Sequence, residues 1–459
     1  MSGGAADTNP ATAEGLWAKP HRAPTVSVLT LMTFIAYETY AIITALPVVA
    51  ADLQADGWYS FAFASTVATG LVGMVIGGNW ADRSGVRTPL AIGGALFLVG
   101  LFLCAVAPRI DVFIAGRLLQ GLGGGIDSVV VYVVIAQLIP ERLRPRMFGL
   151  LVTAWLLPAI VGPLVTGALV DGLHWRGVFA LILVGSAISI STLIRVARHA
   201  SAHQTNMPIV GKRGMWAAVA CLGFVGLHLV GHRPPMQMLA GTALAVALVG
   251  LATHQLLPTG TLAARSGVPS LIALKGLLGA TVAATDIYFT QYLQRELGYT
   301  PTVAGLIVAI GALGWVTGSW IQGRRSDDDR THHGRLGPAS GLVVAGPLSL
   351  LCVISGLAHV SFAVAGCTVM GVGMGMAYPR ITSAAITQTE PRRHGSISSA
   401  LQAVEQLGTS TLLAVTGMVL TTTVDNYLMT YAIVTIVGCL AFGVAIRPKA
   451  RLKPMSGAC

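Results

Sequence analysis

Six ionisable residues stand inside long apolar stretches of this chain: the carboxylates Glu38, Asp127, Asp286 and Glu405 and the cations Arg117 and Lys275. A charge at the centre of a hydrocarbon layer costs roughly 2.5 to 3.5 kcal/mol on insertion scales, so such a residue meets a partner or a wet cavity. Desolvation disfavours the ionised form of a carboxyl and brings its titration toward neutral pH, the property a proton carrier needs. Arg117 is suited to hold a nearby carboxylate ionised until protonation or a ligand displaces it. Each of these residues also has a plainer reading, as a structural partner of a neighbouring Tyr, Gln or Arg. Lys275 and Asp286 lie 11 residues apart, which on a helix is about 20° in angle but about 16 Å in rise, too far for a direct pair. Enzyme chemistry is poorly represented: the chain has no HExxH, no GxSxG elbow and no nucleotide-binding loop, and no CxxC pair suggests a metal. A membrane-embedded transferase would cluster its polar residues at one leaflet, whereas these charges spread along the chain.

The elements that must position these residues are membrane helices. The 459 residues are 54% hydrophobic and 10% charged, with a mean hydropathy of +0.72, which makes lipid the solvent. A span needs roughly 20 apolar residues. Fourteen runs meet that length: 26–49, 60–80, 89–107, 112–137, 148–170, 178–194, 215–231, 236–257, 269–293, 303–322, 341–357, 360–377, 397–421 and 427–446. Of the 29 Lys and Arg residues, 22 fall on one set of connecting segments. By the positive-inside rule that side is cytoplasmic and holds both termini. A basic rim facing anionic lipid accounts for the net charge of +11, so the partner it implies is the bilayer and not a nucleic acid. The polar start of the chain precedes an apolar run too long for a cleaved signal core, so the first span is expected to be retained.

Three motif pairs repeat. GGNWAD is echoed by TGSWIQ (Gly78 and Trp80 with Gly318 and Trp320), GLGGGI by GVGMGM (glycines 121, 123, 125 with 371, 373, 375), and AYETYA by ATDIYF. The last pairing sets Glu38 opposite Asp286, each well inside the first span of a half, and Tyr40 opposite Tyr288. The expected fold is therefore an all-α membrane protein of two six-helix bundles in pseudo-twofold arrangement. A cytoplasmic tail (1–24) leads into an N-terminal bundle (25–199). Linkers and two inserted helices (200–265) separate it from a C-terminal bundle (266–447), and a second tail closes the chain (448–459). The insert either crosses as a hairpin through His232, Arg233, Pro234 and Pro235 or does not cross.

Between the second and third runs, GNWADRSGVRTPL places Gly78, Asp82, Arg83, Gly85 and Arg87 at a helix junction. A carboxylate and two guanidiniums there can form a charge-assisted latch, and the glycine permits a tight turn; the alternative is an ordinary basic loop. These residues resemble the signature loop of the major facilitator superfamily, with Trp80 in place of the usual Leu and Val86 in place of a usual basic residue. Arg117, Gln120 and Gly121 resemble that family's R-x-x-Q-G motif. Gly162, Pro163 and Gly167 resemble its antiporter motif G-P-x-x-G-G, with Thr166 in place of a glycine; Pro163 there acts either as a static kink or as a hinge. Ala45 to Leu53 is similar to the end of the first span in fourteen-span drug:proton antiporters, where Glu38 takes the place of an Asp.

The resemblance implies a proton-coupled secondary exporter of amphiphilic drugs or other small molecules. It would work by alternating access in the cell (inner) membrane, use the proton gradient in place of a cofactor, and need one chain only. Glu38 is the first expected proton site, followed by Asp286 and Asp127, with Arg117 and Glu405 in support. Export of an endogenous lipid or metabolite, uptake by symport, and a membrane-embedded transferase are the alternatives. Nothing in the sequence marks the substrate-binding residues.

Overall fold

A computed structural model describes residues 15–199, 208–230, 235–323, 336–389, 394–422 and 426–447. The ends of both expected tails, the insert's hairpin at His232–Pro234 and the arginines at 324, 325, 330, 335, 392 and 393 lie outside the described residues. The N-terminal bundle holds α1 (Lys19–Asp52), α2 (Tyr59–Ser84), α3 (Arg87–Val106), α4 (Ile110–Leu138), α5 (Arg144–Gly172) and α6 (Trp175–Val196). The insert follows as α7 (Lys212–Val230) and α8 (Pro235–Leu256). The C-terminal bundle holds α9 (Val268–Arg295), α10 (Pro301–Gly323), α11 (Leu336–Ile354), α12 (Val360–Thr387), α13 (His394–Thr422) and α14 (Asn426–Ile446). Helices are the outcome lipid imposes, since each satisfies its backbone hydrogen bonds within its own segment. Twelve of them, six in each bundle, are long and apolar enough to cross a membrane. α7 and α8 are helical over 19 and 22 residues; they pack on each other, and α7 also on α2 and α13. Several helices outrun the apolar cores read from sequence: α1 starts seven residues before Val26, with Pro20 in its first turn, where a missing N–H costs nothing.

The sequence repeat is a packing repeat. Gly121 and Gly125 of α4 sit against the backbone of α2, and Gly123 sits against α3 at Gly93 and Phe97. In the second half Gly371 and Gly375 of α12 sit against α10 at Trp315, and Gly373 against α11 at Ala339 and Val343. A side chain at any of these positions would meet backbone, so small residues let the helices approach. Contacts between the halves are reciprocal: α5 meets α10, α13 meets α2, and α1 meets α9. With α5 equivalent to α13 and α2 to α10, that reciprocity is what a twofold axis demands. The insert breaks the symmetry, covering the α2–α13 seam and leaving the α5–α10 seam without a counterpart.

The halves touch mainly at one end. Gly167 of α5 lies against Pro301 and Thr302, and Gly305 of α10 against the Pro163 carbonyl. The Asp171 carboxylate accepts hydrogen bonds from Thr302 N, at 3.1 Å, and from its hydroxyl. Gln294 Nε2 donates to Thr44 O at 3.0 Å. All of these lie at the helix ends opposite the arginines Arg83, Arg87, Arg142 and Arg144. This is the closed face; the cavity described next runs from mid-span toward the basic face. The α2–α3 turn lies on the basic side, with Gly85 at φ +76°, a conformation that favours glycine, and with Asp82, Arg83 and Arg87 exposed. α5 runs as one helix through Pro158 and Pro163, so its Gly162, Pro163 and Gly167 act here as contact points on α1 and α10.

Candidate functional site

Between the halves lies a cavity of about 400 Å³. Its walls come from both bundles: Tyr40 of α1, Tyr132 of α4, Phe148, Leu151 and Trp155 of α5, Val282 and Asp286 of α9, Trp315 and Ser319 of α10, and Cys367 and Met370 of α12. Tyr132 and Phe148 stack at 6.1 Å near the basic-face mouth. The surface is aromatic and apolar, and Asp286 is its one carboxylate. No hydrogen-bond partner of the Asp286 side chain appears among the described residues. A carboxylate in such a wall can hold a proton or face a cationic group, with the rings contributing cation–π attraction.

Four of the other interior charges form two pairs. In the N-terminal half the Arg117 guanidinium forms a buried ion pair with Glu38 through Nη1. Its Nη1 also donates to Gln120 Oε1 and its Nε to Ala62 O, both at 3.1 Å. Both partners are at most 5% exposed, and they join α1, α2 and α4 around one charge-neutral centre. In the C-terminal half Lys275 Nζ lies 3.4 Å from Glu405 and 5.1 Å from the centre of the Tyr378 ring. Tyr378 in turn packs edge-on against Trp315 of the cavity wall, at 5.8 Å. Lys275 is thus set apart from Asp286 by the helical rise, and the partner it finds is 130 residues away.

Asp127 stands apart. It is fully buried with neither carboxylate oxygen hydrogen-bonded. It faces Gly93 of α3, where a Cβ would lie 2.6 Å from its Oδ1. The cavity is on another side of α4. Asp127→Asn is therefore expected to keep gradient-driven flux within about twofold of wild type in a vesicle assay; a tenfold loss would place Asp127 on the proton path after all.

Of the residues singled out from sequence, the structure brings Glu38 and Arg117 together, sets Asp286 on the cavity wall, and holds Glu405 beside that wall with Lys275. Glu38 and Asp286, equivalent by repeat, differ in surroundings: one is sealed in an ion pair, the other open to the cavity. Sequence reasoning missed the aromatic wall of Tyr132, Phe148, Trp155 and Trp315. The available signal was their position, since aromatic residues make up only 7% of the chain and these four sit inside three runs.

The sequence profile described as Major Facilitator Superfamily matches residues 27–411. Among curated relatives, a probable actinorhodin transporter of Streptomyces coelicolor is 29% identical over 410 residues, covering 81% of this chain and 68% of that one. A probable multidrug-efflux transporter of Mycobacterium tuberculosis is 25% identical over 415 residues, covering 84% and 85%. Multidrug resistance protein 3 of Bacillus subtilis is 24% identical over 421 residues, covering 86% and 78%. Among solved structures, a peptide transporter bound to sulfate superposes with a TM-score of 0.67 at 15% identity, covering 95% and 96%. A D-xylose–proton symporter superposes at 0.62 with 16% identity, covering 93% and 98%. These likenesses to solved structures establish the fold.

Proposed function

The chain belongs to the major facilitator superfamily, as a multi-pass membrane transporter of small molecules and not an enzyme, and from that premise we propose that it exports amphiphilic compounds in exchange for protons. The observation that carries this reading is the one carboxylate of the cavity wall, Asp286, unpaired among the described residues, in an aromatic cavity between two bundles that touch mainly at one face. The multidrug-efflux relatives point to the same class of cargo. Arg117 and Lys275 are each committed to a carboxylate, so Asp286 is left to titrate or to meet cargo. Ionised, it holds the cavity open to water from the basic face; neutralised by a proton or by a cationic cargo, it permits the halves to rock. Glu38 and Arg117 form a second, internal switch whose pairing breaks when Glu38 takes a proton.

The basic face is the cytoplasmic one by the positive-inside rule, so the cavity loads from inside the cell membrane and empties outward. α7 and α8 cross as a hairpin and complete fourteen spans with both termini inside. No cofactor is needed: one proton moving down about 100 mV supplies roughly 2.3 kcal/mol, enough for a gradient of roughly 50-fold in a neutral solute at one-to-one coupling. Each chain encloses its own cavity, so a monomer suffices.

Purified protein in vesicles with an imposed pH gradient is expected to move fluorescent lipophilic cations against their gradient, with the flux collapsed by an uncoupler. Asp286→Asn is expected to lower that flux at least a hundredfold, and Glu38→Gln at least tenfold. Undiminished, uncoupler-sensitive flux in both variants would remove these carboxylates from the proton path. Covalent change of the dye would point to a transferase instead.

A further inference from the structure

Residues 285–288 make up about one helical turn of α9. Asp286 faces the cavity, while its three neighbours make contacts at the closed face. The Tyr59 hydroxyl of α2 donates to Ile287 O at 2.8 Å. The Tyr288 hydroxyl lies 3.0 Å from Ser60 Oγ of α2 and 2.7 Å from Thr416 Oγ1 of α13. The Tyr431 hydroxyl of α14 donates to Thr285 O at 3.1 Å. Tyr59 and Tyr288 are essentially fully buried. Two of these bonds span the two halves, across 228 residues of sequence, in a buried seam where an unmade hydrogen bond is costly.

We propose that this turn is the coupling element of the transporter, with Tyr59 and Tyr288 as positioning residues that clasp the closed face for as long as the Asp286 carboxylate is charged. A helix turn is stiff, so a displacement that re-seats Asp286 moves the Ile287 carbonyl and the Tyr288 ring with it. Loss of charge removes the requirement for water at Asp286; the turn then leaves its seat, and both cross-half bonds break together. The titratable groups that face Asp286 are Tyr40 of α1, Cys367 of α12 and Tyr431 of α14. Glu405 of α13 shares Tyr40 as a neighbour, and Lys275 is held by Glu405. α10 presents Trp315 and Ser319 there, and Arg295 lies on the Tyr59 side at the end of α9. None of the cations among these pairs with Asp286, so its charge is set by protons or by cargo. This inference rests on the export reading and adds the residues that link its site to its gate.

The test needs no cargo. With native cysteines replaced, spin labels at Leu173→Cys and Leu357→Cys, exposed positions on the two halves, report the opening of the closed face in lipid nanodiscs. Lowering the pH is expected to raise the open fraction in the otherwise unaltered protein, and Asp286→Asn to hold that fraction high at every pH. Tyr59→Phe and Tyr288→Phe should each raise the open fraction about fivefold at high pH, in line with one hydrogen bond of about average strength, and together flatten the pH response. Tyr431→Phe removes a bond made within one half and should leave the distances as they were. A pH step that survives Asp286→Asn, or the same opening in Tyr431→Phe as in Tyr288→Phe, would overturn the proposal. A pH-dependent clasp without proton-driven flux would reject export and keep the turn; flux without the clasp would do the reverse.

Discussion

Arg117→Ala is expected to cost the folded protein about 3 to 5 kcal/mol, the usual consequence of removing one partner from a buried ion pair. Arg117 is 1% exposed and Glu38 is 5% exposed, so water cannot replace the guanidinium. Its loss also removes one of the donors to the Ala62 carbonyl and to the Gln120 amide oxygen, both of which accept from Arg117. Three helices, α1, α2 and α4, lose their common tie. The measurement is the thermal or denaturant midpoint of detergent-purified protein. Adding Glu38→Gln to Arg117→Ala should return most of the loss, because the uncompensated charge is then gone. A change under about 1 kcal/mol, or a double variant no better than the single one, would mean that the pair contributes little to the fold.

The second large effect is expected at the seal between α5 and α10. A Cβ on Gly305 would lie 2.8 Å from the Pro163 carbonyl carbon, and one on Gly167 2.7 Å from Pro301 O, distances at which backbone must give way. Gly305→Val is expected to penalise the closed face by about 1 to 3 kcal/mol, as overpacking does, and so to raise the open-to-closed ratio about 5- to 150-fold. The other state, in which these helices part, bears no such cost, so expression and folding should persist while transport falls at least tenfold. Paired labels across the closed face and vesicle flux would record both results. Normal flux with unchanged distances would show that the α5–α10 contact is no part of the gate.

Much of this molecule is legible in one dimension. Apolar runs, the bias of arginine to one set of loops, and the paired glycine motifs are readable because lipid forces each span to satisfy itself, and because duplicated halves keep the same close helix contacts. The turn at Gly85 and the packing stripes at 121–125 and 371–375 were visible for that reason. Site assignment was less complete. Glu38 and Asp286 occupy matched positions in the repeat, yet one is buried against Arg117 and the other faces a cavity, since the second half has no arginine at the place equivalent to Arg117.

What the sequence by itself determined is the class of object: an all-helical membrane chain of two related bundles, one basic face, and a short roster of interior charges. Tertiary structure alone decided how those charges are used. Glu38 meets Arg117 across 79 residues, Lys275 reaches Glu405 across 130, Asp127 points at α3, and Asp286 is left on the wall of an aromatic cavity drawn from six helices. The reason is rotation about the helix axis. Each residue advances a helix by about 100°, and in lipid the outer face is as apolar as the inner one, so hydropathy does not report which way a span is turned. That angle is settled by glycine contacts and side-chain packing between helices far apart in the chain.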